Sequence, residues 1–257
     1  MTRWNSDESS APMTITTDKG DDGAVPASPP CSLHELGADG TPRADPVQAR
    51  DVARWRKAER ERLLAERSAL TVEYRAQQAL AIAQALDRIL ASAPGTMVSV
   101  YWPIRAEPDL RPWMHALSQA GTRIALPVAL ALGQALVFRE WHPQARLARG
   151  LWKIPYPADG AEVIPDIVVA PLVGFDGGCY RLGYGGGFFD RTLATLSPKA
   201  LAVGVGYPSA ALRTIYPQPH DVPMDWIVSG SLPSVRRAAA PGIRHGTGDH
   251  SDKQREP

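Results

Sequence analysis

Residues Pro165 to Tyr207 read PDIVVAPLVGFDGGCYRLGYGGGFFDRTLATLSPKALAVGVGY, and this stretch decides the fold. The apolar runs IVVAPLVGF and ALAVGVGY are typical of buried strands, and the segment GFFDRTLATL between them has its apolar residues spaced as in a helix. A strand, a helix and a second strand in this order favour an α/β layered fold with a largely parallel sheet. Ligands of such folds bind at the carboxyl ends of the strands, which draws attention to the glycine-rich connection before the helix.

The same alternation extends along the rest of the chain. DVARWRKAERERLLAERSAL is expected to form a first helix and VEYRAQQALAIAQALDRILA a second, capped by Thr71. The apolar stripe predicted for the second helix consists of Val72, Ala76, Ala79, Ala83, Leu86 and Leu90. A third helix is predicted in DLRPWMHALSQAG, with Asp109 as its cap and Gly121 as its stop. Further strands are predicted in TMVSVYW, TRIALPV, ALVFREW and DWIVSG.

The composition excludes several classes of protein. The chain has 257 residues, of which 44% are hydrophobic and 21% charged, so it is long enough to bury a sizeable core. A formal net charge of +1 provides no general attraction to nucleic acid or to an anionic membrane. Cys31 and Cys179 form neither a disulfide framework nor a metal-ligand cluster. Since the sequence shows no membrane span and no signal peptide, we expect a cytoplasmic protein without nucleic-acid or membrane partners.

Both ends of the sequence differ from its middle. Residues 1–51 are rich in Ser, Thr, Pro, Gly and Asp without a sustained apolar period, and residues 235–257 are similar. Such segments bury too little apolar surface to offset the entropy lost on ordering. We therefore expect a disordered N-terminal extension over residues 1–51, one folded domain over residues 52–234 and a disordered C-terminal tail over residues 235–257.

The segment RLGYGGGFFD, Arg181 to Asp190, is the first candidate for a binding site. Its glycines allow the backbone to approach a ligand closely, and free N–H groups at the start of the next helix favour an anion. Arg181 would add a fixed positive charge. The segment fails the dinucleotide-binding pattern, which requires glycine where Phe188 stands, and it fails the nucleotide P-loop pattern. A phosphate cradle and a structural turn both remain open.

Asp190 would lie one turn into the helix, beside the proposed phosphates. A carboxylate there repels an anion unless a cation lies between them, and Mg²⁺ commonly binds one or two carboxylates together with phosphate oxygens. Asp221 in PQPHDVPMD is a candidate second ligand, with Asp225 as its rival. The alternative is that Asp221 and Asp225 are turn residues before the last strand.

The first helix carries Arg56, Arg60 and Arg67 on about one face. Like charges four residues apart destabilise a helix slightly, so this face invites a counter-anion. The alternative is a solvated face on which Glu59 and Glu66 pair with neighbouring residues.

The segment YWPIRAEPD, residues 101–109, places aromatic residues close to a carboxylate at the end of a buried strand. Tyr101, Trp102 and Glu107 would suit a flat heterocycle that bears amino groups, stacked on one side and hydrogen-bonded at its edge. The alternative is an aromatic plug of the core next to a solvent-facing turn.

Together these segments resemble the 5-formyltetrahydrofolate cyclo-ligase family, also called 5,10-methenyltetrahydrofolate synthetases. The strongest match is PLVGFDGGCYRLGYGGGFFDR, because the family pairs a GFD-like turn with RLGYGGGYYDR. YWPIRAEPD, HDVPMD and the arginine-rich helix before SALT support it. The resemblance covers about residues 54–228, so the predicted domain is a cyclo-ligase domain. It implies a three-layer α/β/α sandwich with a largely parallel sheet, related to phosphosugar isomerases and CoA transferases.

The resemblance also implies roles for individual residues. The implied catalytic residues are Arg181 and Tyr184. The implied ATP-binding residues are Arg56, Lys57, Arg60, Arg181, Leu182, Gly183, Tyr184, Gly185, Gly186, Gly187, Phe188 and Phe189. The implied folate-binding residues are Trp102, Glu107, Tyr184 and Phe188, and the implied Mg²⁺ ligands are Asp190 and Asp221. Phe188 and Phe189 stand where the family commonly has two tyrosines, and Tyr156 stands where many members have glutamate.

The implied reaction is the ATP- and Mg²⁺-dependent cyclisation of 5-formyltetrahydrofolate to 5,10-methenyltetrahydrofolate, with release of ADP and phosphate. It needs no side-chain nucleophile, and the sequence offers no convincing Ser-His-Asp or Cys-His set. The implied partner is a reduced folate, and we expect a monomer. The alternatives are a non-catalytic folate- or nucleotide-binding regulator and a phosphate-handling enzyme of the same fold with another substrate.

Overall fold

A computed structural model describes residues 46–90 and 95–238 of the chain. The described helices are α1 (Pro46–Ala69), α2 (Val72–Leu90), α3 (Arg111–Gln119) and α4 (Phe188–Thr195). The described strands are β1 (Met97–Ser99), β2 (Arg123–Val128), β3 (Val137–Trp141), β4 (Leu147–Arg149), β5 (Pro155–Pro157), β6 (Glu162–Val163), β7 (Ile167–Pro171), β8 (Gly174–Phe175), β9 (Arg181–Leu182), β10 (Leu201–Gly206), β11 (Trp226–Ser229) and β12 (Val235–Arg236). Most of the predicted extension, residues 1–45, and of the predicted tail, residues 239–257, lies outside the described residues.

The main sheet has eight strands in the order β12-β11-β10-β7-β1-β2-β3-β6. Its centre, from β11 through β10, β7 and β1 to β2, is parallel, whereas β3, β6 and β12 add antiparallel edges. The predicted α/β fold with a largely parallel sheet is confirmed.

The sheet is covered on both faces, because the side chains of its buried strands alternate between two apolar clusters. On β7, Val169 packs in a cluster with Ile82 of α2 and Met114 of α3. Its neighbour Val168 packs in the other cluster, with Leu193 of α4. Helix α1 packs elsewhere, since its Leu63 belongs to a smaller cluster beside the β8–β9 hairpin.

Two details of the helices differ from the sequence predictions. Thr71 caps α2 as expected, since its Oγ1 accepts the N–H of Tyr74 at 3.2 Å. Val72 and Ala76 are exposed, however, because the buried face of α2 begins only at Gln78. In α3 the N-cap position is Leu110 rather than Asp109, but the Asp109 carboxylate still accepts the backbone N–H of Arg111, the first helical residue, at 3.1 Å and also pairs with the Arg111 side chain. Within the described residues no helix is both long and apolar enough to cross a membrane.

Candidate active site

A cavity of about 690 Å³ opens at the carboxyl ends of β1, β2 and β7, where Tyr101, Val128 and Pro171 form part of its wall. Its other walls are α1, the glycine loop (residues 183–187) and the turn between β4 and β5. The residues to which the resemblance assigns roles all line this cavity: Arg56, Lys57, Arg60, Trp102, Glu107, Arg181, Leu182, Gly183, Tyr184, Gly185, Gly186, Gly187, Phe188, Phe189, Asp190 and Asp221. The fold therefore collects the predicted residues into one place.

The glycine loop reaches the cavity by a different route from the one predicted. The chain does not pass directly from β7 into the loop, because the antiparallel hairpin β8–β9 lies between them. Gly185 and Gly187 have φ angles of +92° and +64°, which residues with a side chain rarely adopt. Gly187 is also the N-cap of α4, so the unpaired N–H groups of the first helical turn border the cavity. This backbone suits an anion.

Arg60 is a cation of the cavity whose terminal nitrogens are available to a ligand. Its Nε donates to the carbonyl of Gly183 at 2.7 Å, which fixes the side chain against the glycine loop. Its Nη1 and Nη2 atoms have no hydrogen-bond partner within the described residues. Burial and the nearby charge of Arg56 lower the pKa of Arg60, against the opposing effect of Asp221. The negative charge of a bound phosphate group would oppose this lowering of the Arg60 pKa.

In Arg56, in contrast, each of the three guanidinium nitrogens already has a hydrogen-bond partner. Its Nε and Nη2 donate to the carbonyls of Ile215 and Tyr216, each at 2.9 Å. Its guanidinium also pairs with Asp221, with 2.5 Å between Nη2 and Oδ2, and the two side chains are only 9% and 8% exposed. Arg56 therefore anchors the segment before β11 to α1, and its contact with phosphate stays a prediction.

Arg181 and Asp190 form a second buried ion pair at the base of the glycine loop. Nη2 of Arg181 is 2.9 Å from Oδ2 of Asp190, and the guanidinium lies 5.1 Å from the ring centroid of Phe189. Burial lowers the pKa of Arg181, and the carboxylates of Asp190 and Asp221 oppose that shift. The positive charge of Arg181 is therefore buried and paired with Asp190 rather than unpaired in the cavity.

The two predicted magnesium ligands each keep one weakly held oxygen. Oδ1 of Asp190 accepts only a 3.3 Å bond from the N–H of Val222, and Oδ1 of Asp221 is 3.3 Å from Nη1 of Arg56. Within the described residues no three His, Cys, Asp or Glu side chains gather into a metal site. Mg²⁺ needs few protein carboxylates when phosphate oxygens complete its shell, so this donor set fits an ion that binds together with a polyphosphate. Asp225 does not line the cavity, and its oxygens accept the N–H of Ala202 and a guanidinium N–H of Arg237.

Glu107 also lines the cavity and is buried, with 5% of its surface exposed. Its Oε1 accepts the hydroxyl of Tyr184 at 2.8 Å, and its Oε2 accepts the N–H of Ile104 at 2.9 Å. Burial raises the pKa of Glu107, although these hydrogen bonds and the charges of Arg67 and Arg105 act against it. The carboxylate keeps two unused lone-pair positions for N–H donors of a ligand.

A strained turn brings Glu107 back into the cavity. Arg105 and Ala106 have φ angles of +46° and +58°, a conformation that costs residues with a side chain about 1–2 kcal/mol each. The hydroxyl of Tyr207 holds the turn by donating to the carbonyl of Ala106 at 3.0 Å, and that of Tyr101 donates to the carbonyl of Pro108 at 2.7 Å. Such strain is typical of functional sites.

Sequence reasoning missed Trp152 as a residue of the cavity. Trp152 lies in the turn between β4 and β5, is 60% exposed and has a φ angle of +55°. Its ring meets that of Phe188 edge to face, with 5.4 Å between the ring centroids. The available signal was an aromatic residue in the Gly- and Pro-rich segment RGLWKIPYPADG, where no core position needs one.

Comparison with known proteins assigns the family. Residues 52–230 match the sequence model of the 5-formyltetrahydrofolate cyclo-ligase family. The 5-formyltetrahydrofolate cyclo-ligase of Escherichia coli strain K12 is 34% identical over 175 residues, which are 64% of this chain and 94% of that protein. The protein of the same name from Mycolicibacterium smegmatis is 32% identical over 143 residues, or 52% of this chain and 74% of its own length.

Solved structures agree with the sequence match. The NMR structure of Aquifex aeolicus 5,10-methenyltetrahydrofolate synthetase has a TM-score of 0.65 and 26% identity, and the match covers 76% of this chain and 99% of that one. A structure of the Mycoplasma pneumoniae synthetase, 23% identical with a TM-score of 0.57, shares the fold. With the family match spanning most of the described residues, the conclusion is that this chain belongs to the 5-formyltetrahydrofolate cyclo-ligase family of enzymes.

Proposed function

We propose that this chain catalyses the ATP-dependent cyclisation of 5-formyltetrahydrofolate to 5,10-methenyltetrahydrofolate, with release of ADP and phosphate. The observation that carries the proposal is that one cavity combines a site suited to phosphates with a site suited to a pterin. Arg60 and the first turn of α4 supply charge and N–H groups for the phosphates. Glu107 supplies a buried carboxylate for the pterin.

The folate site recognises a flat ring with N–H donors along its edge. A pterin presents an amino group and a ring N–H side by side, and the two remaining lone-pair positions of Glu107 match them. Trp102 is half-buried and lines the same cavity as Glu107, and Tyr184 also borders it. We propose that these rings and Phe188 pack against the folate.

The reaction converts a poor electrophile into a reactive one. The γ-phosphoryl group of ATP is transferred to the formyl oxygen, so that oxygen can leave as part of phosphate. N10 of the same folate then attacks the formyl carbon, its proton is lost, and cleavage of the carbon–oxygen bond expels phosphate and closes the ring. No Ser, Thr or Cys is among the described residues that line the cavity, which is consistent with a reaction that needs no covalent enzyme intermediate.

The chain contributes charge and position to these steps. Arg60 and the N–H groups of the glycine loop would hold the phosphates, while Arg56 and Lys57 border the same region. Arg181 adds a fixed positive charge behind the loop, and Tyr184 orients Glu107. Asp190 and Asp221 would hold Mg²⁺, which neutralises phosphate charge when it is bound.

An absorbance assay tests the proposal. The purified chain is mixed with 5-formyltetrahydrofolate, ATP and Mg²⁺, and the methenyl absorbance, ADP and phosphate are followed together. We expect equal amounts of the three products and none when any reactant is omitted. Tight folate binding without product would instead indicate a regulator, and ATP consumption only with another acceptor would indicate an enzyme with a different substrate.

We also propose that the protein is a cytoplasmic monomer with a reduced folate as its partner. The net charge of +1 supports the absence of nucleic-acid and membrane partners, because the chain has no general attraction to polyanions. Sedimentation equilibrium at several concentrations tests the monomer, and a mass that rises with concentration would contradict it.

A further inference from the structure

Arg67 is a buried cation that none of the assignments above explains. It lies near the end of α1 with 5% of its surface exposed. Its Nη2 donates to the hydroxyl of Tyr184 at 2.5 Å and its Nη1 to the carbonyl of Leu172 at 3.3 Å. Its Nε is buried without a hydrogen-bond partner within the described residues. A guanidinium is costly to bury without a carboxylate partner, so its place in the site needs a reason.

Arg67, Tyr184 and Glu107 form a series of hydrogen bonds that ends at the proposed folate site, and Arg67 fixes which group donates in each bond. A guanidinium only donates, so the oxygen of the Tyr184 hydroxyl must accept from Arg67. The hydroxyl has one proton, and that proton points to Oε1 of Glu107, 2.8 Å away. Glu107 is therefore an acceptor in this arrangement, and its free lone pairs stay available to a ligand.

We propose that Arg67 is a positioning residue of the folate site, which holds the Tyr184 hydroxyl so that Glu107 accepts the N–H donors of the substrate. The inference rests on the proposed function and adds a residue to it. Without Arg67 the hydroxyl is free to turn away. Glu107 would also lose the hydrogen bond and the nearby charge that lower its pKa, so it would take up a proton more readily. The protonated carboxyl would present an O–H group to the pterin where the substrate needs an acceptor.

The charged and titratable groups around Glu107 agree with this role. Arg67 faces it from α1 and Tyr184 from the glycine loop, while Arg105 lies on its own turn, and Tyr101 and Tyr207 approach from the ends of β1 and β10. Arg105 is exposed, so water and salt screen its charge, whereas Arg67 is buried and screened less. Loss of Arg67 is therefore expected to raise the pKa of Glu107 more than loss of Arg105 does.

Steady-state kinetics against pH test the role of Arg67. We compare the wild type with Arg67→Gln, Arg67→Lys, Tyr184→Phe and the Arg67→Gln/Tyr184→Phe double variant. Arg54→Gln is the matched control, because Arg54 lies on the same helix with 74% of its side chain exposed. A lost charge-assisted hydrogen bond is worth about tenfold or more in binding, so we expect at least that rise in the KM for folate with Arg67→Gln.

The pattern of effects separates positioning from a general loss of structure. We expect a nearly unchanged KM for ATP and an acid limb of kcat/KM that moves to higher pH. Arg67→Lys should restore part of the folate affinity, and the double variant should be little worse than Arg67→Gln, since both changes act through one hydroxyl. Additive effects, or a loss of kcat with an unchanged folate KM and pH profile, would overturn the proposal.

A measurement without ligand distinguishes this inference from the proposed function. The carboxyl of Glu107 is followed by NMR with ¹³C-labelled glutamate and assigned by its absence in Glu107→Gln. We expect a higher pKa of Glu107 in Arg67→Gln and Tyr184→Phe than in the wild type. An unchanged pKa in the folded variants overturns the role of Arg67, whereas a wild type that forms no methenyl product overturns the proposed function alone.

Discussion

Arg181 and Asp190 are ion-paired behind the glycine loop, with 2.9 Å between Nη2 and Oδ2 and side-chain exposures of 4% and 16%. The sequence predicts that both act on the ligand, Arg181 through phosphate charge and Asp190 through Mg²⁺. In the structure each is also the other's main partner. Because a buried guanidinium without a counter-ion is costly, Asp190 supports the fold of the site as well as the proposed metal.

We expect Asp190→Asn to lose stability together with turnover. The neutral side chain leaves Arg181 without its counter-ion, which should lower the free energy of unfolding by about 3 kcal/mol. Urea denaturation and the methenyl assay measure the two effects. The double variant Arg181→Met/Asp190→Leu is expected to recover stability but not activity, and an Asp190→Asn protein of wild-type stability would contradict this view of the pair.

Arg60 and Arg56 are expected to differ in what their removal changes. Arg60→Gln should keep the stability of the fold, because its guanidinium ends have no carboxylate partner within the described residues. It should lower kcat/KM for ATP by about ten- to a hundredfold, the worth of a charge-assisted contact to phosphate. Arg56→Gln breaks the buried pair with Asp221 and should cost about 3–5 kcal/mol of stability. The reverse pattern would reassign the phosphate contact to Arg56.

The lowered pKa of Asp221 predicts how the stability of the fold depends on pH. Burial acts to raise the pKa of Asp221, but hydrogen bonds from Arg56 and from the N–H of Gln218 offset this, so the pKa lies below its ordinary value of 3.8. Its stabilising contribution is therefore complete above 3.8 and is lost as the pH falls through the native pKa, since the unfolded chain takes up the proton first.

Urea unfolding of the wild type and Asp221→Asn, from neutral pH to below 3.8, measures this contribution. The stability difference should be largest at neutral pH and shrink on acidification. Carboxylates in surface pairs, such as Asp159 with Arg146, occur in both proteins, so their contributions to the pH dependence of stability cancel in the comparison. A difference that is constant over this range would mean that Asp221 is not stabilised as a carboxylate.

The elements and the place of the cavity could be predicted because they depend on local patterns. Long apolar runs mark β7 and β10, and glycines mark the loop before α4, so the sequence shows that a site lies at the strand ends. The hairpin β8–β9 escaped prediction, because each strand has only two residues and no alternation can be recognised over that length.

The partners of the site residues could not be predicted, because they depend on contacts between distant segments. Arg56 and Arg60 lie four residues apart on one helix, yet only the packing of the segment before β11 pairs Arg56 with Asp221. The contact of Glu107 with Tyr184 likewise needs the turn after β1 and the glycine loop to meet. The same holds for the buried face of α2, which begins only at Gln78 and leaves Val72 exposed.

The strained turn that carries Glu107 gives the last prediction, for Tyr207→Phe. Burial raises the pKa of Tyr207 to about 12, so its hydroxyl remains a donor to the carbonyl of Ala106 at working pH. Loss of this bond should lower the free energy of unfolding by about 1 kcal/mol and let the left-handed turn relax.

Because Glu107 follows Ala106 directly, this relaxation should raise the folate KM severalfold while the KM for ATP stays unchanged. Thermal melts and initial rates measure both effects. Tyr180→Phe is the matched control, because the hydroxyl of Tyr180 has no hydrogen-bond partner within the described residues. Equal behaviour of Tyr207→Phe and Tyr180→Phe would show that the turn keeps Glu107 in place without the Tyr207 hydroxyl.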